Sequence, residues 1–310
     1  MNTILVKLTG GLGNQMFQYA AGRHLALLNE AELLLDVSEF KTYKLREFSL
    51  QHFHLKGRIC EKWEMQYFKR PAALRTRLER MLCVWRSPSA LSQTPPSASL
   101  VQRVREAGFA YDATLLEKRG SFYLDGYWQS PRYFSAIEKE IRADFQISTP
   151  PSAANEAMAA KILASNSASL HVRRGDYQHN ANTKSIHGAC SPGYYNKAAR
   201  TLSSKESDVV FFVFSDEIEW ARSNLHFPGE KEFVDLNDSA HNYEDLRLMS
   251  LCNHHIIANS TFSWWGAWLG SPDGVTVAPS RWMNDASRGP SSQELLPAHW
   301  IQISPEESYT

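Results

Sequence analysis

The 310 residues hold four cysteines, Cys60, Cys83, Cys190 and Cys252, with no CxxC pair. Neither a zinc site nor a disulfide framework is signalled, and buried, reduced thiols are expected. No run of 18 apolar residues occurs, and the first apolar stretch, residues 4–8, is too short for a signal-peptide core and lacks a basic lead. A soluble, cytoplasmic protein is therefore expected. Charge of neither sign dominates: 33 basic residues balance 33 acidic ones, which gives no bulk reason to expect nucleic acid as a partner. No Asp-x-Asp is present, so an acidic metal clamp is missing. The absence of GxxxxGK[ST] and GxSxG argues against a P-loop NTPase and a serine hydrolase. Of eleven histidines only His254 and His255 adjoin, poor spacing for a single metal. No metal or cofactor is expected, and any bound phosphate must be met by arginine and backbone.

Apolar residues make up 43% of the chain and charged residues 21%, enough for real cores. The start reads strand (4–8), glycine turn (10–13), helix (14–29) and strand (33–37), the unit of a parallel sheet. The pattern then loosens. Arg70, Arg75, Arg77, Arg80 and Arg86 alternate with Leu74, Leu78, Met81, Leu82 and Trp85, before a stretch rich in Ser and Pro at 87–99. This basic amphipathic segment is either a solvated helix packed on its own domain or a surface leaning on anionic lipid, a peripheral membrane contact. Consecutive prolines at 150 and 151 mark a boundary, after which strand–helix alternation restarts with strands at 169–172, 209–214 and 256–258. Two α/β domains follow, 1–150 and 151–310, and a cleft between them is the natural ligand site.

Four segments can carry chemistry. Gly11 and Gly13 sit between a strand and a helix, where backbone can approach a phosphate. Asp36 lies some 20 residues on, as a nicotinamide-dependent oxidoreductase would require, but Met16 occupies the place of the third small residue and would hold the helix off the strand. A tight turn without ligand is the third reading. The second segment is HVRRGDY, residues 171–177. Strand alternation turns Val172 and Arg174 to one face and His171 and Arg173 to the other. Arg174 should then point inward and pair with an acid or stack beneath the site, while Arg173 presents its planar fork outward to phosphate oxygens or pairs with Asp176. Third, Asn259, Ser260, Thr261, Phe262 and Ser263 precede Trp264, Trp265 and Trp268 as a helix-capping signature, and such a helix start can seat an anion. The tryptophans are expected to pack that helix, though one could serve as a sugar platform. Fourth, Asp216 at a strand end takes a ribose hydroxyl or a guanine N–H, or caps the next helix.

In these residues the chain resembles glycosyltransferase family 11, the α-1,2-fucosyltransferases, and most of all their bacterial members. The resemblance runs in order through GGLGNQMFQYA (10–20), HVRRGDY, His187-Gly188-Ala189-Cys190-Ser191 with Tyr194-Tyr195, FSDEIEWAR (214–222), MSLCNHHIIANSTFSWWGAWL (249–269) and Ala278-Pro279. Residues 56–110 show no comparable match. The resemblance implies an α/β, GT-B-like fold of two Rossmann-like domains facing across a cleft, the first toward the acceptor and the second holding the nucleotide. It implies GDP-β-L-fucose as donor, a galactose-terminated oligosaccharide or lipid-linked glycan as acceptor, inversion, and no metal. By position, Arg173 meets the diphosphate with His171 beside it, Ser260 to Ser263 seat the phosphates, and Gly11, Gly13 and Asn14 reach toward the donor. Related fucosyltransferases place an acid about ten residues after the HxRR histidine. Here that place is Ala181, which leaves Asp176 and His187 as candidate bases. A sugar-binding module without turnover, resting on the tryptophans alone, is a further alternative.

Overall fold

The computed structural model describes residues 2–42, 46–69, 101–175 and 188–306. The arginine-rich segment 70–86, Cys83, Asp176, Ala181 and His187 lie outside them. The chain forms two compact units. The first comprises Met1–Gly10, Asn14–Trp128 and Arg132–Phe145, and the second Gly11–Gly13, Gln129–Pro131 and Gln146–Thr310.

In chain order the first unit carries β1 (Thr3–Lys7), α1 (Leu12–Leu28, whose opening residues count with the second unit), β2 (Glu32–Asp36), β3 (Arg58–Ile59), α2 (Lys62–Lys69), β4 (Val101–Arg105), α3 (Thr114–Glu117), β5 (Ser121–Asp125) and α4 (Glu138–Asp144). Its sheet is parallel, in the order β3-β2-β1-β5-β4. Central β1 is apolar and buried through Leu5 and Val6, as a strand covered on both faces must be. Met16 is fully buried. The close approach lies further along α1, at Gly22, where a Cβ would fall 2.2 Å from Val6 Cγ2. Two buried glutamines tie down the turn after β1. Gln18 Oε1 accepts from Thr9 N (2.9 Å), and Gln15 Nε2 donates to the carbonyls of Gly10 (3.0 Å) and Glu47 (2.8 Å). The turn itself reverses at Gly10, whose φ of +77° suits glycine.

The second unit carries α5 (Ala153–Leu163), β6 (Asn166–Val172), α6 (Pro192–Ser203), β7 (Val209–Ser215), α7 (Ile218–Asn224), β8 (Glu230–Val234), α8 (Asn242–Leu251), β9 (His254–Ile256), α9 (Thr261–Leu269), β10 (Thr276–Pro279), α10 (Ser292–Leu295) and β11 (Ile301–Ile303). Its sheet is also parallel, ordered β11-β10-β9-β6-β7-β8. Serines cap α5 and α6. Ser152 accepts from Asn155 N and Ser191 from Tyr194 N, each satisfying one of the first-turn donors a helix cannot pair internally. The core joins Leu170, Val172, Tyr194, Tyr195, Phe211, Val213 and Ile256. The two adjoining histidines take separate structural partners. His255 Nδ1 lies 2.8 Å from Ser169 Oγ, and His254 Nδ1 accepts from Val275 N (3.0 Å).

Candidate functional site

The strands β6 and β7 end side by side, with Val172 paired to Ser215. Beyond the ladder, Asp216 grips the loop after β6. Its Oδ1 accepts from Arg174 N and its Oδ2 from Gly175 N, both at 3.0 Å, and Oδ2 also pairs with Arg173 Nη1 at 3.0 Å. A Cβ at Gly175 would stand 2.9 Å from that carboxylate oxygen and push it aside. Asp216 does not cap α7, whose N-cap residue, Glu217, makes no side-chain cap bond. Its job in this geometry is to fix the backbone and guanidinium of the HVRR loop.

Arg174 leaves the strand on the Val172 side, as alternation requires. Its Nε pairs with Glu217 at 3.2 Å and its guanidinium lies 3.8 Å over the Trp220 ring, which packs against the core. Pairing and stacking were both anticipated, but the partner acid is partly exposed (24%), so this pair is no buried charge.

His171, on the opposite face, is buried, and its ring centroid lies 5.6 Å from that of Phe262. Burial lowers its pKa to about 4, outweighing the nearby Asp216 carboxylate, with Arg173 adding to the fall. The imidazole is therefore neutral at physiological pH. Its Nδ1 is enclosed without a hydrogen-bond partner among the described residues.

Phe262 belongs to the first turn of α9. Ser260 is the N-cap residue, extended at φ −135° and ψ 126°, but its side chain makes no capping bond. Ser263 turns its hydroxyl back to Ser260 O (3.1 Å). Asn259 is likewise engaged in the scaffold, donating from Nδ2 to the carbonyls of Gly188 and Trp282, each at 3.1 Å. Within this segment Thr261 and Phe262 are partly exposed, whereas Asn259, Ser260 and Ser263 are buried. Trp264 and Trp265 are fully buried packing residues, as expected, with their indole N–H groups donating to Leu295 O and Gly13 O, both at 3.0 Å.

That last bond brings in the glycine turn. Residues 11–13 belong to the second unit, and Gly13 lies against the start of α9: a Cβ would meet Thr261 C at 2.4 Å and Phe262 N at 2.5 Å. Residues that open α1 thus touch residues that open α9. Helix N-termini carry partial positive charge, so this meeting favours an anion. Among the predicted site residues, Gly11, Gly13, His171, Arg173, Asp216 and 259–263 fall in the second unit, whereas Asn14 falls in the first, beside Gly10. Asp176 and His187 lie outside the described residues.

Asp36, the residue on which the oxidoreductase reading depends, is only 2% exposed. Its oxygens accept from Ser38 N (2.9 Å) and Tyr123 O–H (2.8 Å), so it is a structural acid and presents no ribose site. Sequence reasoning missed Trp220, whose aromatic character was visible but whose partner was not. It also missed Gly188, at φ +66°, where a Cβ would meet Asn284 at 2.6 Å. The histidine–glycine pair at 187–188 was the available signal.

The glycosyl transferase family 11 model matches residues 107–304. The chain is 34% identical to an alpha-1,2-colitosyltransferase of Escherichia coli, over 98% of this chain and 99% of that protein. It is 31% identical to the O-antigen biosynthesis glycosyltransferase WbnK of the same species, over 96% and 99%. A galactoside alpha-(1,2)-fucosyltransferase 1 of Saimiri boliviensis boliviensis is 26% identical over 50% of this chain and 44% of its own length. Among solved structures, NodZ alpha-1,6-fucosyltransferase soaked with GDP-fucose aligns with a TM-score of 0.52 at 14% identity, over 87% of this chain and 92% of that one. At that identity the likeness speaks to the fold, which is GT-B-like.

Proposed function

The chain belongs to glycosyltransferase family 11, and from that premise we propose that it transfers L-fucose from GDP-β-L-fucose to the 2-hydroxyl of a terminal galactoside, inverting to an α-1,2 linkage. The observation that carries the reading is the meeting of Gly13 with the first turn of α9, beside a neutral His171 and an arginine held by Asp216. The bond that breaks joins the anomeric carbon to a diphosphate oxygen, so negative charge grows on the departing GDP. Fixed N–H groups and a guanidinium lower the barrier where that charge develops. Neutral His171 offers a donor or acceptor without adding charge. The attacking hydroxyl loses its proton to a base drawn from Asp176 and His187. In this reading residues 151–310 bind the donor and residues 1–150 receive a free or lipid-linked glycan in the cytoplasm, at the membrane's inner face when the acceptor is lipid-linked. No helix among the described residues is long and apolar enough to cross a membrane.

A second reading has its own support: the relative at 34% identity is named a colitosyltransferase, and colitose is L-fucose without its 3-hydroxyl. A site that hydrogen-bonds that hydroxyl rejects the sugar lacking it far more strongly than an apolar site rejects the added hydroxyl. Purified protein is therefore assayed with lactose and other galactosides against GDP-fucose, GDP-colitose and UDP-galactose, scoring product and linkage. GDP-fucose is expected to be used best, with an α-1,2 product. Higher kcat/KM with GDP-colitose transfers the assignment to colitose, and equal use of UDP-galactose refutes a guanosine-specific site.

A further inference from the structure

The second cluster of chemistry lies at the carboxyl edge of the first sheet. Four neighbouring strands end in charged residues: Asp36 on β2, Lys7 on β1, Asp125 on β5 and Arg105 on β4. The register sets Lys7 opposite Asp36 and Arg105 opposite Asp125. Asp36 is buried, so the usable row begins at Lys7. Its Nζ pairs with Asp125 Oδ1 at 3.6 Å and with Glu39 Oε2 at 2.9 Å. Asp125 is also met by Arg103 Nη2 at 2.5 Å and Arg105 Nε at 3.4 Å, while Glu39 accepts from Thr9 Oγ1. The strand order sets β1 and β5 side by side within the sheet, so Lys7 and Asp125 meet at its carboxyl edge, the edge at which open α/β sheets bind ligands.

The loop after β5 presents an aromatic ring at the same edge. Glu106 accepts from Tyr127 N (2.6 Å) and Trp128 N (3.0 Å), and Trp128 holds φ at +55°, uncommon for a bulky residue. A Cβ on Gly126 would strike Glu106 Cβ at 2.4 Å. The consequence is that Tyr127 stays exposed on a pinned backbone.

We propose that Lys7, Glu39, Asp125 and Tyr127 form a subsite for a neutral, hydroxyl-rich sugar, the acceptor glycan of the function proposed above, on which this inference rests. Every cation in the row faces a carboxylate, so the edge offers donor–acceptor pairs instead of uncompensated positive charge. Such pairs suit sugar hydroxyls, which both donate and accept, better than they suit a phosphate. The Tyr127 ring supplies an apolar face for the C–H side of a pyranose.

The test titrates the whole protein with neutral oligosaccharides, lactose among them, by saturation-transfer NMR, and separately with GDP. It covers wild type, Asp125→Asn, Lys7→Gln and Tyr127→Ala, the last at an exposed position. Wild type is expected to bind at least one oligosaccharide, and each variant to bind it about tenfold more weakly, the order of one lost hydrogen-bonded or stacked contact. GDP affinity and melting of Tyr127→Ala should match wild type. Failure of wild type to bind any neutral oligosaccharide, or unchanged binding in Tyr127→Ala and Asp125→Asn, overturns the subsite. Turnover separates the two proposals. Transfer with an unchanged acceptor KM in the variants keeps the function and removes the subsite. Oligosaccharide binding lost in the variants without any fucosyl transfer by wild type keeps the subsite and removes the function.

Discussion

The carboxyl edges of the two sheets share a topology and differ in chemistry. At the second sheet, the acid after β7 spends its oxygens on backbone N–H groups and on Arg173, next to a helix start and an uncharged imidazole. At the first, charged side chains on adjacent strands pair with one another across the register. The proposed function gives the edge of the second sheet, with its helix start and carboxylate-held arginine, to a diphosphate. The other offers alternating donors and acceptors, which suit hydroxyls.

The comparison is most sharply tested at Arg173. Arg173→Ala should lower turnover by about 10²–10³ with melting unchanged, and Lys should not rescue it, because a point charge replaces a planar fork. Circular dichroism melts and initial rates check this; near-normal rates in Arg173→Ala would erase the difference between the edges. Gly13→Ala comes next. Its methyl would collide with the backbone of Thr261 and Phe262, which cannot swing aside. Overpacking of this kind costs about 1–3 kcal/mol, and donor KM should rise while oligosaccharide binding at the first sheet stays as in wild type.

Arg174→Ala is expected to be milder. The ion pair with Glu217 and the stack on Trp220 are both partly exposed, so stability should fall by about 1–2 kcal/mol, seen as a lower denaturation midpoint with residual activity. The smallest effect is in pH. The folded pKa of His171, about 4, lies below its usual 6.5, so between these values the unfolded chain takes up a proton that the folded chain refuses. Stability from this group is full above pH 6.5 and is lost as pH falls toward 4. Buried His255, held to about 3, adds to the same slope. Hydrogen bonds and paired charges keep Glu39 and Asp125 below their usual values against the opposing pull of burial, so both remain ionised at pH 5. Oligosaccharide affinity should therefore be flat from pH 7 to 5 while the stability slope appears, and His171→Phe should make that slope shallower.

Much of this was legible in the residues. Apolar runs bounded by glycine or charge marked β1, β2, β6 and β7, and alternation assigned opposite faces to Arg173 and Arg174. Edge strands were not legible: β4 reads VQRVR and β8 EKEFV, exposed and without a clear period. Packing at Gly22 was hidden because a glycine inside a helix does not reveal which strand it meets. The role of Asp216 was open between nucleotide and helix cap, and only the pairing of Val172 with Ser215 puts its carboxylate on the HVRR loop. The charged row of the first sheet joins residues more than a hundred positions apart, so it exists only once the register is known.

The central claim is that protein donors of the second unit, without a metal, carry the donor's diphosphate charge. Transfer of labelled fucose from GDP-fucose, measured in excess EDTA and again with added manganese, tests it most directly. The account predicts that wild type keeps essentially its full rate in EDTA. Loss of nearly all transfer on chelation, with recovery on adding manganese, would contradict it.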